Sequence, residues 1–154
     1  MTEIMQIITG CIGSLGFAVL FNIRGKKLVF ATLGGLLSWS LFLLLGFFME
    51  NEPVRYFIVS LMISLYSEIM ARGLKTPTTT FIYTSLVPLI PGGSLYYTMS
   101  TGFAGDLAGF LDKGLYTLSL AVALALGIVL ESAVVKMAMN SREQHRKKKL
   151  EVKK

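Results

Sequence analysis

The sequence has little of what enzymes and metal proteins use. Its 154 residues include one cysteine and one histidine, and only 16% of them are charged. A single thiol, Cys11, cannot build a disulfide framework, and one cysteine with one histidine does not predict a zinc site. The sequence also lacks a glycine-rich phosphate loop and a serine–histidine–aspartate set in a suitable context. We therefore predict neither an enzyme nor a bound cofactor.

What the sequence has instead is apolar length. Hydrophobic residues make up 53% of the chain and its mean hydropathy is +0.64, which is more apolar surface than a soluble domain of this size can bury. A membrane-spanning helix takes about 20 apolar residues. We predict an all-α polytopic membrane protein, with a five-helix transmembrane domain over residues 1–140 and a basic tail over 141–154. The predicted spans are residues 4–21, 28–49, 53–71, 78–99 and 115–139.

The charges between the predicted spans alternate in sign. Basic residues follow the first, third and fifth spans, and acidic residues follow the second and fourth. Because basic loops stay on the cytoplasmic side, the alternation predicts a multi-pass cell-membrane protein with its N-terminus outside and its C-terminus in the cytoplasm. The loop residues are Arg24, Lys26, Lys27, Arg72 and Lys75 on the basic side, and Glu50, Glu52, Asp106 and Asp112 on the acidic side.

The net charge of +6 is concentrated in the tail after the last span. A basic segment in that place is a topology signal and a surface that can touch anionic lipid. It has no interleaved aromatic residues and no recognisable binding fold, so we do not predict a nucleic-acid partner.

Small residues recur four positions apart in the spans. Such pairs let helix backbones approach closely in a membrane, so they predict ordinary bundle packing in preference to a solute site. The pairs are Gly10 with Ser14, Ala31 with Gly35, Gly34 with Ser38, and Ala123 with Gly127.

Two carboxylates fall within predicted spans. Glu68 shares one helical stripe with Ser60 and Ser64, and such a stripe is typical of a water-lined path or a hydrogen-bonded helix seam. Alternatively, Glu68 pairs with Arg72 one turn along the same helix. Of the ionisable residues, Glu68 is our first candidate for handling the solute or a proton. Glu131, on the fifth span, has no ideally placed partner, and its role in function or in packing is left open by the sequence.

The fourth predicted span contains a helix-breaking run. Pro88 and Pro91 each remove a backbone N–H, and Gly92 and Gly93 permit backbone angles that other residues resist. We predict a half-helix, a non-helical stretch over 88–93 facing a cavity or a subunit interface, and a second half-helix starting near Ser94. Irregular backbone within a bilayer is tolerated only where protein or water covers it, and the start of a half-helix can hold an anionic group. The spacing therefore favours a binding or gating break over a simple packing kink.

These motifs together resemble a known family. Glu68, Ala71-Arg72, Pro77, the run Pro88-Leu89-x-Pro91-Gly92 and Tyr96 are similar to the C-terminal membrane half of threonine/serine exporters. They are closer still to the small separate subunit type, which is also associated with succinate export. Full-length members have ten spans and a large N-terminal portion. The resemblance thus implies a split system in which a larger membrane subunit supplies the other five spans.

The function implied is secondary export of small hydrophilic solutes, driven by an ion gradient. Threonine and serine are the first choice of substrate and a dicarboxylate such as succinate is the second. Five helices can hardly enclose a solute site alone, so the size of the chain also favours a partner or a homo-oligomer. The alternative function is a non-transporting scaffold or assembly subunit, in which the break and the glutamates serve packing.

Overall fold

The computed structural model describes residues 3–151, with side chains described as far as residue 141. The side chains of the basic tail from residue 142 onward, and with them the predicted lipid contact, lie outside the described residues. Every regular element in the described part is a helix. The elements are α1 (Glu3–Leu20), α2 (Lys26–Gly46), α3 (Glu52–Gly73), α4 (Thr79–Leu86), the 3-10 helix η1 (Val87–Leu89), α5 (Gly92–Phe103) and α6 (Leu107–Glu151).

Local sequence signals explain where several helices begin. The Asn51 side chain accepts a hydrogen bond from the N–H of Val54 at 3.3 Å, and Pro53 occupies the first turn of α3, where no N–H is required. Between α5 and α6, Gly105 has a φ of 78°, which favours glycine. Asp106 then accepts from the N–H of Gly109 at 2.9 Å and caps α6.

Four helices are long and apolar enough to cross a membrane: α1, α2, α3 and the part of α6 over Leu107–Ser141. The predicted fourth span corresponds to α4, η1 and α5, which are each too short to cross alone. The predicted fifth span, residues 115–139, lies inside α6, which begins earlier because Asp106 caps it. The described part of the chain is thus all-helical, with four candidate membrane spans.

The central helix of the bundle is α3, which packs on α2, α4 and α6. It runs in the same direction as α6: the Tyr116 hydroxyl donates to Glu52 at the start of α3, and Arg72 reaches Met139 near its end. We call these two ends of the bundle the Glu52 end and the Gly73 end. On the other side, α1 packs on α2, whereas α5 packs mainly on α6.

The small residues lie at the helix crossings. A Cβ atom added at Gly34 would collide with Ser85 of α4, and one added at Gly35 would collide with Ser14 of α1. At Gly127 of α6 an added Cβ would stand 2.6 Å from the carbonyl oxygen of Phe57. The prediction that small residues permit close packing is therefore confirmed at three crossings.

Candidate functional site

The Gly73 end of α3 carries a compact polar cluster of Glu68, Arg72 and Thr78. The Glu68 Oε1 atom accepts from Arg72 Nε at 2.7 Å, with Arg72 Nη2 at 2.6 Å, and Glu68 Oε2 accepts from the Thr78 hydroxyl at 2.5 Å. One turn of α3 separates the ion pair, whereas Thr78 comes from the turn that leads into α4. Both carboxylate oxygens of Glu68 are therefore occupied within this chain.

The cluster also ties α3 to α6. Arg72 Nη2 lies 2.7 Å from the sulfur of Met139. Of the two sequence-based alternatives for Glu68, the structure contains the pair with Arg72. Sequence reasoning missed Thr78 and Met139 because both meet α3 only through tertiary contact. The turn at Pro77, which brings Thr78 back beside α3, was the one sequence signal for the position of Thr78.

The serine stripe of α3 is fully buried. Ser60 donates to the carbonyl oxygen of Phe57 in its own helix at 2.9 Å. The hydroxyl oxygens of Ser64 and Ser67 are buried and have no hydrogen-bond partner among the described residues. A buried hydroxyl without a partner costs free energy. Ser14, Ser38 and Ser85 share this property, so a missing partner alone does not separate Ser64 and Ser67 from the serines at the helix crossings.

Glu131 of α6 lies at the level of this stripe. Gly127 contacts Ser60, and Glu131 and Ser64 each follow one turn later on helices that run in the same direction. The Glu131 residue is 6% exposed, and its Oε1 atom has no partner among the described residues. Its Oε2 atom has only a 3.5 Å contact with the Ser132 hydroxyl. Among the described side chains, no cation forms a salt bridge with Glu131.

The helix break is shorter than predicted. Ile90 and Pro91 are non-helical, with ψ angles of 121° and 55°, but Pro88 and Leu89 belong to the 3-10 helix η1, and Gly92 and Gly93 already belong to α5. The prediction of a non-helical stretch over 88–93, with a second helix from Ser94, is wrong in this respect. The reason is that α5 restarts directly after Pro91, whose carbonyl oxygen accepts the N–H of Leu95 at 3.0 Å.

The residues of the break point in different directions. Pro88 in η1 packs inward, with its ring 3.5 Å from the position of a Cβ on Gly10. Gly92 and Gly93 are exposed and have no neighbour within 4 Å of an added Cβ. Tyr96 is 69% exposed and packs edge-on against Tyr97, with ring centroids 5.6 Å apart. Within this chain, only the η1 part of the break adjoins an internal surface.

A groove of about 290 Å³ lies beside η1, between α1 and α2. Its polar lining comes from Gln6, Thr9 and Trp39, and the indole N–H of Trp39 is buried without a partner among the described residues. Sequence reasoning did not assign these three residues because they are ordinary span residues whose convergence depends on where η1 packs. The other lining residues are Gly10, Gly13, Val87 and Pro88.

The predicted site residues therefore fall into two groups. Glu68, Arg72, Ser64 and Glu131 belong to the α3–α6 interface, and the residues of the break lie where α4 passes into α5. No hydrogen bond joins the two groups in the part of the chain that the structure describes. Nor does that part hold a cluster of three or more His, Cys, Asp or Glu side chains suited to a metal ion.

Comparison with known proteins gives one family. The profile of the family described as "Threonine/Serine exporter, ThrE" matches residues 6–134. This match covers most of the chain, from α1 to the helical turn of α6 that follows Glu131. No solved structure matches the chain.

Proposed function

Because the chain belongs to the threonine/serine exporter family, we propose that it is the small subunit of a split secondary exporter. At the level of the family it is an exporter-type membrane transporter, and exporters of this family can work with a partner subunit. The proposal adds that the partner is a larger membrane subunit of the same family. Threonine and serine are the proposed solutes, with a dicarboxylate such as succinate as the second choice, and an ion gradient drives export.

The observation that carries this proposal is the exposed backbone at the start of α5. Ile90 is 59% exposed, Gly92 and Gly93 are exposed, and no side chain caps the first turn of α5. Lipid cannot satisfy free backbone N–H groups, so interrupted backbone at this depth must be covered by protein or water. A second subunit seated over Gly92 and Gly93 would provide that cover.

The depth of the break follows from its neighbours. Pro88 packs against Gly10, which lies about 10 Å along α1 from Glu3 at 1.5 Å per residue. The break is therefore inside the apolar length of α1 and not at its end. This position supports a path for solute between η1 and the partner.

We propose that α4, η1 and α5 together form a fifth crossing. Phe81 of α4 packs with Ala71 at the Gly73 end, and Thr98 of α5 is 3.1 Å from Thr117, one residue beyond the Tyr116 that reaches Glu52. The segment thus extends between the two ends of the bundle. Five crossings put the termini on opposite sides, and the loop charges favour the N-terminus outside.

The groove beside η1 is the proposed solute site. It offers an amide from Gln6 and a hydroxyl from Thr9 on an otherwise apolar wall to which Trp39 contributes. A small number of polar groups in an apolar cleft is typical of sites for small molecules. The partner would close its open side.

Reconstitution into vesicles tests the proposal. The chain, the larger subunit and both together are scored for flux of labelled threonine, serine and succinate. We expect flux only with both subunits. Full flux from either subunit alone would contradict the split arrangement, and an intact complex without flux of any of the three solutes would contradict the exporter assignment.

Two matched variants sharpen this test. Thr9 and Thr101 both donate to carbonyl oxygens of their own helix, but only Thr9 lines the groove. We expect Thr9→Val to lower flux and Thr101→Val to leave it unchanged. Equal effects would count against the groove.

The alternative function, a non-transporting scaffold, is favoured by the polar cluster. Its contacts join α3 to α4 through Thr78 and to α6 through Met139, as a structural latch would. A scaffold predicts that Thr9→Val changes neither assembly nor the flux of the complex. This groove variant therefore separates the two functions.

A further inference from the structure

Among the buried polar atoms without a partner in the described residues, a single carboxylate oxygen occurs, Oε1 of Glu131. Glu68, the first candidate from sequence, has both oxygens occupied by Arg72 and Thr78. We propose that Glu131 is a proton-binding site between α3 and α6, at the level of the buried Ser64 on the facing helix. Neither Ser64 nor Ser67 is within hydrogen-bonding distance of Glu131.

Few charged side chains lie near Glu131. From α3, Glu68 and Arg72 lie within electrostatic reach, and the guanidinium is already engaged by Glu68. On α6 itself, Lys136 is exposed and forms no salt bridge in the described part of the chain. Helix α5 packs on the Glu52 end of α6, where its Thr98 meets Thr117, and brings no charged side chain to this level.

A carboxylate so placed cannot remain charged without compensation. Burying an ionised carboxylate in an apolar environment is costly unless it is paired or takes up a proton. Because Arg72 is held by Glu68, a proton on Glu131 is the simplest compensation. The protonated acid can donate one hydrogen bond, and a serine hydroxyl can both accept and donate.

Release of that proton has a defined consequence. The carboxylic acid becomes a carboxylate, and two carboxylates, Glu68 and Glu131, then compete for the one guanidinium of Arg72. Uptake of the proton leaves Arg72 with Glu68, as observed. The step therefore couples a proton to the contact between α3, α4 and α6.

A metal cation fits the site less well. Hard divalent cations take about six or more oxygen ligands. The α3–α6 interface offers one carboxylate and two unpaired hydroxyls at this level. The experiment must distinguish binding of a proton from binding of a metal cation.

Labelling with a hydrophobic carbodiimide tests the site in membranes that contain the full chain, since this reagent modifies protonated carboxylic acids in apolar surroundings. We expect Glu131 to be the modified residue, with labelling lost as the pH rises and unaffected by added sodium chloride. Glu131→Gln should abolish the labelling, and the control Glu52→Gln, at the other end of the same helix pair, should retain it.

Three outcomes would overturn the proposal: no modification of Glu131 at any pH, protection by sodium ions at constant pH, or labelling that is independent of pH. The measurements on the wild-type protein do not depend on whether a variant folds.

Only the role of this site in driving transport rests on the proposed function. In the reconstituted complex, Glu131→Gln should lose uphill flux driven by a pH gradient and keep solute exchange at equal pH. Absence of all flux in the wild-type complex would contradict the proposed function and leave the labelling result standing.

Discussion

The two regions that the sequence marks as functional are built in opposite ways. At the Gly73 end, Glu68, Arg72 and Thr78 satisfy one another inside a single chain. At the break, Gly92 and Gly93 open onto the surface, with no side chain to cap the helix that they begin. A charged side chain can be paired with another residue of the same helix, whereas the free polar groups of interrupted backbone must be covered by whatever packs over them. The second region therefore says more about what lies outside the chain.

For the polar cluster and the break to differ in this way within a membrane, the two ends of the bundle must face opposite sides of it. In a Cys11→Ser background, a cysteine at position 51 should react with an impermeant thiol reagent added outside intact cells, and one at position 148 should not. The expected difference is all or none, because the loop charges predict that these positions lie on opposite sides. Permeabilised cells are the control, in which both should react. The reverse pattern would refute the orientation.

A larger residue at a helix crossing should destabilise the packed part of the bundle. We expect Gly127→Leu to remove most of the folded protein from the membrane, because a Cβ there meets Ser60 and the backbone of Phe57. Overpacking of this kind costs typically about 1–3 kcal/mol, and backbone neighbours cannot rotate away. Abundance and resistance to detergent unfolding measure the effect. Gly73→Leu, where an added Cβ meets nothing within 4 Å, is the matched control.

The same change at the break should have the opposite signature. A Cβ added at Gly92 has no neighbour within 4 Å in the described part of its own chain, so Gly92→Leu should reach the membrane in near-normal amount. If a partner covers Gly92, the added side chain should block co-purification and lower flux. Equal loss of abundance and flux would instead show that the break serves packing inside the chain.

The smallest effect is expected within the polar cluster. Glu68→Ala and Thr78→Val each remove one side of a hydrogen bond to a charged group, and a double-mutant cycle should give a coupling energy of about 1 kcal/mol. Stability of the purified chain against denaturing detergent is the measurement. A coupling near zero would mean that Thr78 does not hold α4 to α3, and the contrast between the two regions would weaken.

Sequence reasoning was most accurate where the bilayer itself sets the rule. The long apolar stretches gave α1, α2 and α3 within a few residues, and small residues such as Gly35 and Gly127 marked real crossings. It was less accurate at Gly92 and Gly93, because glycine permits unusual angles without requiring them. It also missed Thr78 and Trp39, whose positions depend on where the chain returns after Pro77 and Pro88.

The length of α6 has a mechanical consequence. The helix runs without a proline from Leu107 to Glu151, about 68 Å at 1.5 Å per residue. Its tightest crossing, at Gly127, lies about 30 Å from Leu107. A rigid tilt of about five degrees about this crossing would shift the Leu107 end by about 3 Å and move Met139 in the opposite direction. In such a tilt, a movement at one end of α6 is accompanied by a movement at the other end.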